Sequence, residues 1–275
     1  MNYQMIAMDL DGTLLNGKSM LSLRSQEMIS RLKALGKIIV IASGRTDGEI
    51  RRLTAPLELT DYPNAYFICY NGVLTLEAKS GKKLTKMLLS KEDVLTIIKE
   101  TRSFNLDLHV FTEGSLYLSP NIRLSLANQL SEKTKIKILN VDKLDIDEDI
   151  YKVLFYDDFS KLNDFKSKMP QILLDRYGIV KSHSQLLEIF HKEGSKGHAL
   201  EILAKMLDVP QESIIAFGDE ENDLTMIKYA GLGVAMGNAK PDVLAAAKAI
   251  TLTNEFEGVA VAVDKYVFSG RGLSK

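Results

Sequence analysis

Two aspartates flank a single residue in Asp9-Leu10-Asp11-Gly12-Thr13, directly after the apolar run Met5–Met8. A second acidic stretch, Gly218-Asp219-Glu220-Glu221-Asn222-Asp223, follows the apolar run 214–217. Ser43-Gly44-Arg45 closes the run Ile38–Ala42, and Asn71-Gly72 lies just beyond the run Ala65–Cys69. One carboxylate at the end of one buried strand is usually a cap or a turn former. Carboxylates at the ends of two strands, with a hydroxyl and an amide at two more, call for a ligand. Some chemistries fail on spacing. Asp9-x-Asp11 opens like a calcium loop, which needs Gly at its sixth place and Glu at its twelfth. Leu14 and Met20 stand there. Gly231-x-Gly233 lacks the third glycine of a dinucleotide fingerprint, which would fall at Met236, and it precedes a strand instead of following one. No GxxxxGK[ST] sequence occurs, so no P-loop is expected. His109, His183, His191 and His198 lack metal-ligand spacing, which argues against zinc.

The elements that must position these residues are legible as a pattern. Short apolar runs alternate with helix-period segments, as in an α/β protein. The runs Met5–Met8, Ile38–Ala42, Ala65–Cys69, 214–217, 233–236 and 249–252 read as buried parallel strands. Segment 22–35 places Met28, Ile29, Leu32 and Leu35 on one helix face and stops at Gly36. Segments 195–207 and 222–230 behave similarly. In such a sheet, ligands bind outside the carboxyl ends of the strands, so the polar groups gather along one edge. The pattern stops near Gly72 and resumes near Ser195. Between 82 and 190 the runs are shorter, weaker and alternating, as in an inserted α+β domain. Cys69, Met5, Met8 and Phe67 read as core.

With 275 residues, 45% of them hydrophobic and 26% charged, the chain has material for about two domains. Its 35 basic and 36 acidic residues leave a net charge of -1, no footprint for nucleic acid or an anionic membrane. No apolar run approaches the length of a membrane span, and the first residues do not resemble a signal peptide. A single cysteine fits a reducing compartment, and a cytoplasmic protein is the expectation.

Asp9-Leu10-Asp11-Gly12-Thr13, Ser43-Gly44-Arg45, Lys196 and Gly218-Asp219-x-x-Asn222-Asp223 stand in the order of the four motifs of the haloacid dehalogenase superfamily. Asn71-Gly72, Leu187-Glu188-Ile189, Ser195-Lys196-Gly197 and Gly233-Val234-Ala235-Met236-Gly237-Asn238-Ala239 resemble its Cof-type, type IIB, sugar-phosphatase branch. The resemblance covers nearly the whole chain. It implies a Rossmann-like, doubly wound parallel sheet over 1–81 and 191–275, with 82–190 as an α+β cap that sheds water and selects the substrate. It also implies hydrolysis of a small phosphomonoester, a sugar phosphate or a phosphorylated cofactor, with Mg²⁺. Asp9 would be the nucleophile that forms an aspartyl-phosphate, and Asp11 the general acid and base. The metal ligands would be the side chains of Asp9 and Asp219 and the backbone carbonyl of Asp11. Ser43, Lys196, Asn222 and the N–H groups of Leu10 and Gly44 would hold the phosphoryl oxygens. Asp223 and Thr13 would orient their neighbours, and Arg45 and Asn71 are candidates to touch the substrate.

Two further functional classes fit the same residues. One is a phosphotransferase or phosphosugar mutase on this fold, and the other is a non-catalytic sensor of a phosphate ligand. The sensor would not need both Asp9 and Asp11. Lys196 at a helix start opposes the helix dipole, a mild cost that favours function. Arg45 suits a surface residue equally well. Glu220 and Glu221 read as first-turn carboxylates.

Overall fold

The structure is a computed structural model describing residues 3–118, 135–138, 146–183 and 185–269, with side chains at 135–138, 182 and 183 left aside. In chain order the strands are β1 Met5–Met8, β2 Ile38–Ala42, β3 Ala65–Cys69, β4 Leu74–Glu77, β5 Lys83–Lys86, β6 Asp107–Thr112 and β7 Ser115–Leu118. β8 Lys135–Ile138, β9 Ile150–Tyr156, β10 Tyr177–His183, β11 Leu186–His191, β12 Ile214–Gly218, β13 Leu232–Ala235 and β14 Ala249–Ile250 complete them. The helices are α1 Leu23–Ala34, α2 Asp47–Leu53, α3 Lys91–Thr101, α4 Phe159–Ser167 and α5 Gln171–Arg176. α6 Lys196–Met206, α7 Leu224–Tyr229, α8 Pro241–Ala246 and α9 Gly258–Val263 follow. No helix among the described residues is long and apolar enough to cross a membrane.

The chain divides into two compact units, one of Met1–Lys86 with Ser195–Lys275 and one of Met87–Gly194. The first contains an eight-stranded sheet in the order β14-β13-β12-β1-β2-β3-β4-β5. Its strands from β14 to β3 run parallel, and β4 and β5 are added antiparallel. Met5, Ala7, Val40, Ala42, Ile214 and Ala216 pack on one face against Ala199, Leu200 and Leu203 of α6 and Met226 of α7. The alternate positions Ile6, Met8, Ile39, Ile41, Ile215 and Phe217 are equally buried. A strand turns successive side chains to opposite faces, so both faces are covered. Caps fix the helix starts: the Ser22 hydroxyl accepts from the Ser25 N–H at 3.0 Å, and Thr46 and Glu49 form a capping box on α2.

Met5 pairs in register with Ile214 on one side and Ile38 on the other. The carboxyl ends of β12, β1 and β2 therefore lie level, with Asp219, Asp9 and Ser43 just beyond them.

The second unit contains a six-stranded sheet in the order β10-β11-β9-β6-β7-β8, antiparallel except for the β7–β8 pair. Leu108, Val110, Val153, Phe155, Leu187 and Ile189 line one face and pack against Val94 and Ile97 of α3, Leu162 and Phe165 of α4, and Leu173 of α5. His109, Lys152 and Glu188 occupy alternating positions on the other face.

Several boundaries differ from the sequence reading. The α/β pattern does not stop at Gly72, because β4 and β5 extend the large sheet to Lys86. The first junction lies at Lys86–Met87, not near 82, for that reason. The second lies at Gly194–Ser195, not near 190, because β11 pairs with β9 and β10. Segment 222–230 is a 3₁₀ turn, Glu221–Asp223, followed by α7.

Candidate active site

Asp9 leaves β1 with only 5% of its surface exposed. Its Oδ1 accepts from Lys196 Nζ at 2.7 Å, and the same ammonium donates to Asp223 Oδ1 at 2.6 Å. Lys196 opens α6 behind the Ser195 cap and is fully buried. Its place depends on the loop after β3. There Tyr70, Asn71 and Gly72 all have positive φ, and a Cβ on Gly72 (φ 109°) would fall 2.3 Å from the Ser195 carbonyl oxygen. Only glycine lets that turn lie against the start of α6.

Asp219 follows β12. Thr13 donates to its Oδ1 at 2.8 Å and Asn238 to its Oδ2 at 3.2 Å. Asp223 Oδ2 accepts the N–H groups of Asp219 and Glu220 at 2.9 and 3.0 Å. Both Asp223 oxygens are thus engaged in orienting its neighbours. Gly12 crosses directly over Asp219: with φ 75°, its Cβ would meet Oδ2 at 2.3 Å.

One oxygen from each of Asp9, Asp219 and Asp223 lies within 4.8 Å of the others. Three buried carboxylates thus share one ammonium. Burial pushes the Asp9 carboxyl well above the usual range; Lys196 opposes this, while Asp223 and Asp219 add to it. Burial is also the main reason that Asp219 is pushed up to about 7, with Asp223 and Glu220 adding to it and the Thr13 hydrogen bond opposing. Burial draws the Lys196 ammonium down, but the charges and hydrogen bonds of Asp223 and Asp9 outweigh it, and its pKa rises. The donor set is hard carboxylate oxygen, which suits Mg²⁺. Asp9 and Asp219 fit such an ion; the engaged oxygens of Asp223 suit it to orienting them.

The Asp11 side chain is not in this cluster. Arg45 holds it from both sides, Nε to Oδ2 and Nη2 to Oδ1, each at 2.7 Å. Arg45 also donates to Glu49 at 3.2 Å, and the Asp11 hydrogen bond is the chief reason its own pKa rises. Ser43 is buried, with its Oγ accepting from the Arg45 N–H at 3.3 Å. Asn222 donates to Asn71 Oδ1 at 2.9 Å, while its own carbonyl oxygen is buried without a partner. Leu10 is fully buried, and a Cβ on Gly44 would meet Asn71 Oδ1 at 2.9 Å.

Other candidates lie elsewhere. Burial pushes the Cys69 thiol up, as expected of an inert core residue. His109, in the second unit, is lowered by burial to about 4 and stays neutral. The His183 side chain falls outside the described residues.

A family model for haloacid dehalogenase-like hydrolases matches residues 6–263. The chain belongs to that family. The hydrolase is 33% identical over 270 residues to YxeH of Bacillus subtilis, a match covering 97% of this chain and 99% of the relative. It is 28% identical over 280 residues to YwtE of the same organism, a 5-amino-6-(5-phospho-D-ribitylamino)uracil phosphatase, covering 94% and 96%. Among solved structures, a haloacid dehalogenase-like hydrolase from Bacteroides thetaiotaomicron matches with a TM-score of 0.82 and 31% identity, covering 96% of this chain and 99% of that one.

Sequence reasoning did not assign a role to Asn238, although it lies in a quoted motif. A lone asparagine after a strand reads as a turn former. Its position in that motif was the available signal.

Proposed function

We propose that this hydrolase cleaves a small phosphomonoester, a sugar phosphate or a phosphorylated cofactor or precursor, through an aspartyl-phosphate on Asp9. The observation that carries the reading is a buried aspartate fixed through one oxygen by a buried lysine, beside a second carboxylate. Lys196 holds Oδ1, which orients Oδ2 for attack. The Asp9–phosphorus bond forms as the bond to the leaving oxygen breaks. Asp11 gives its proton to that oxygen, then takes one from the water that cleaves the intermediate, releasing phosphate and restoring Asp9. For this, the Asp11 side chain must turn from its pairing with Arg45 towards the Asp9 cluster, in which it does not lie. Lys196, Ser43, Asn222 and the N–H groups of Leu10 and Gly44 serve the phosphoryl oxygens. Asp9 and Asp219, with the Asp11 carbonyl, would hold Mg²⁺; when bound, it supplies charge neutralisation between carboxylates and phosphate.

We assign substrate choice to the second unit, as a cap, and place the reaction in the cytoplasm. The separate hydrophobic cluster of Met87–Gly194 supports the first assignment and the single buried cysteine the second.

Rapid-quench labelling with a ³²P-labelled phosphomonoester tests the chemistry. Asp9→Asn is expected to take up no label. Asp11→Asn is expected to lose roughly 10²–10⁴-fold in turnover of a sugar phosphate, and less with p-nitrophenyl phosphate, whose leaving group hardly needs the proton. Labelled Asp9→Asn protein, or full activity after metal stripping, would sink the mechanism.

A further inference from the structure

Asp219 is held from two other loops besides its own. Thr13, beyond β1, occupies Oδ1; Asn238, beyond β13, occupies Oδ2. The same Asn238 amide nitrogen donates to the Gly12 carbonyl oxygen at 2.8 Å. Its Oδ1 accepts the Asn254 N–H at 3.1 Å. This last bond decides which way the amide points. A backbone N–H only donates, whereas a carboxylate and a carbonyl only accept. The nitrogen must therefore face Asp219 and Gly12. The backbone agrees, because the Lys240 N–H donates to the Asp219 carbonyl at 2.8 Å. Asn254 extends the clamp, its own amide donating to the Leu15 carbonyl at 2.9 Å.

We propose that Asn238 is a positioning residue for the cation: it sets the rotation of the Asp219 carboxylate and ties it to the Asp9–Thr13 loop. This rests on the Mg²⁺-dependent reading above. A Cβ on Gly12 would fall 2.3 Å from Asp219 Oδ2, so the loop passes close against that oxygen. Asn238 donates to the same oxygen, and Thr13 holds the other, so rotation of the carboxylate is limited at both ends. Its donor also holds the peptide next to the Asp11 carbonyl, so one amide governs two of the expected ligands.

The test is calorimetric titration of metal-free protein with Mg²⁺, comparing wild type with Asn238→Ala and with the near-isosteric Asn238→Leu. Asn238 is an exposed loop side chain, and unchanged circular dichroism shows that each variant is folded. Both variants are expected to bind Mg²⁺ about 10–100-fold more weakly, the usual cost of losing a group that orients a metal ligand. At saturating Mg²⁺, kcat for p-nitrophenyl phosphate should fall by less than the affinity does, with KM little changed. A shift in Mg²⁺ affinity below about fivefold in both variants would overturn the inference and leave the proposed function standing. Wild-type protein that binds no Mg²⁺ would overturn both.

Discussion

Two lysines are buried among the described residues, and their surroundings differ in one respect that matters. Lys152, in the second unit, donates to Glu188 at 2.9 Å, with the Phe111 ring 5.1 Å from its ammonium. That pair brings together one charge of each sign. Lys196, in the first unit, stands between Asp9 and Asp223, with Asp219 close by. There a single positive charge faces three carboxylates. A balanced buried pair answers its own charge; an unbalanced cluster calls for a further cation or for protons. The Lys152 site reads as architecture and the Lys196 site as a place that something must enter.

Replacing each lysine by methionine gives the largest test of that contrast. Both changes strand buried carboxylates and should lower stability by about 3–5 kcal/mol, measured by urea unfolding. Only Lys196→Met should also abolish labelling by a phosphomonoester. Lys152→Met should leave Mg²⁺ affinity unchanged in calorimetry. If Lys152→Met weakens Mg²⁺ binding as strongly as Asn238→Ala does, the contrast collapses.

A second test uses pH on the metal-free protein. The Asp219 carboxyl is raised from 3.8 in the unfolded chain to about 7 in the fold. Between those values the folded state holds a proton that the unfolded state has lost. Stability should therefore fall as pH climbs from about 4 to about 7, then level off. Mg²⁺ needs the ionised carboxylate, so its affinity should weaken below pH 7 by up to about tenfold per unit for this one group. Thermal melts at fixed ionic strength, with and without Mg²⁺, check both. A metal-free melting temperature that rises steadily across this range would contradict the assignment.

The smallest effect is expected at Arg45. Its bond to Asp11 is bidentate, yet the two side chains are 28% and 47% exposed. Arg45→Gln should cost less than about 1 kcal/mol in urea unfolding. A larger loss would mean that this pair, like that of Lys152, carries part of the fold.

Much of this contrast was legible in the residues and some was not. β1, β2 and β3 match apolar runs residue for residue, because a parallel strand buried on both faces reads as an unbroken apolar word. β4 and β5 carry no such unbroken run. Lys83–Lys86 is a short, half-exposed edge with lysines at both ends, and nothing in its composition separates it from a loop. At the site, Asp9 and Asp219 sit together as their strand ends require, and Lys196, at the start of α6, and Asp223, in the turn after β12, join them. Motif order placed Thr13 in the set, but its bond to Asp219 depends on a separation of 206 residues. The same holds for Arg45 and Asp11 and for Asn238. Which oxygen each donor reaches is decided by loop geometry, which leaves no periodic trace in sequence.

The central strand of the large sheet has a consequence for how the chain is made. β1 leaves the ribosome long before β12, one of its two neighbours, whose Ile214 pairs with Met5. At about 5–20 residues per second, roughly 10–40 s separate their synthesis. Until then β1 and β2 expose an open edge, and Asp9 waits without Lys196. Contacts so far apart in sequence form slowly and leave unpaired strands open to aggregation. Met87–Gly194, contiguous in sequence, can fold during that interval. A chain stalled once Gly194 has cleared the ribosome, but before β12 has emerged, should therefore carry a protease-resistant second unit joined to a first half that still needs chaperones.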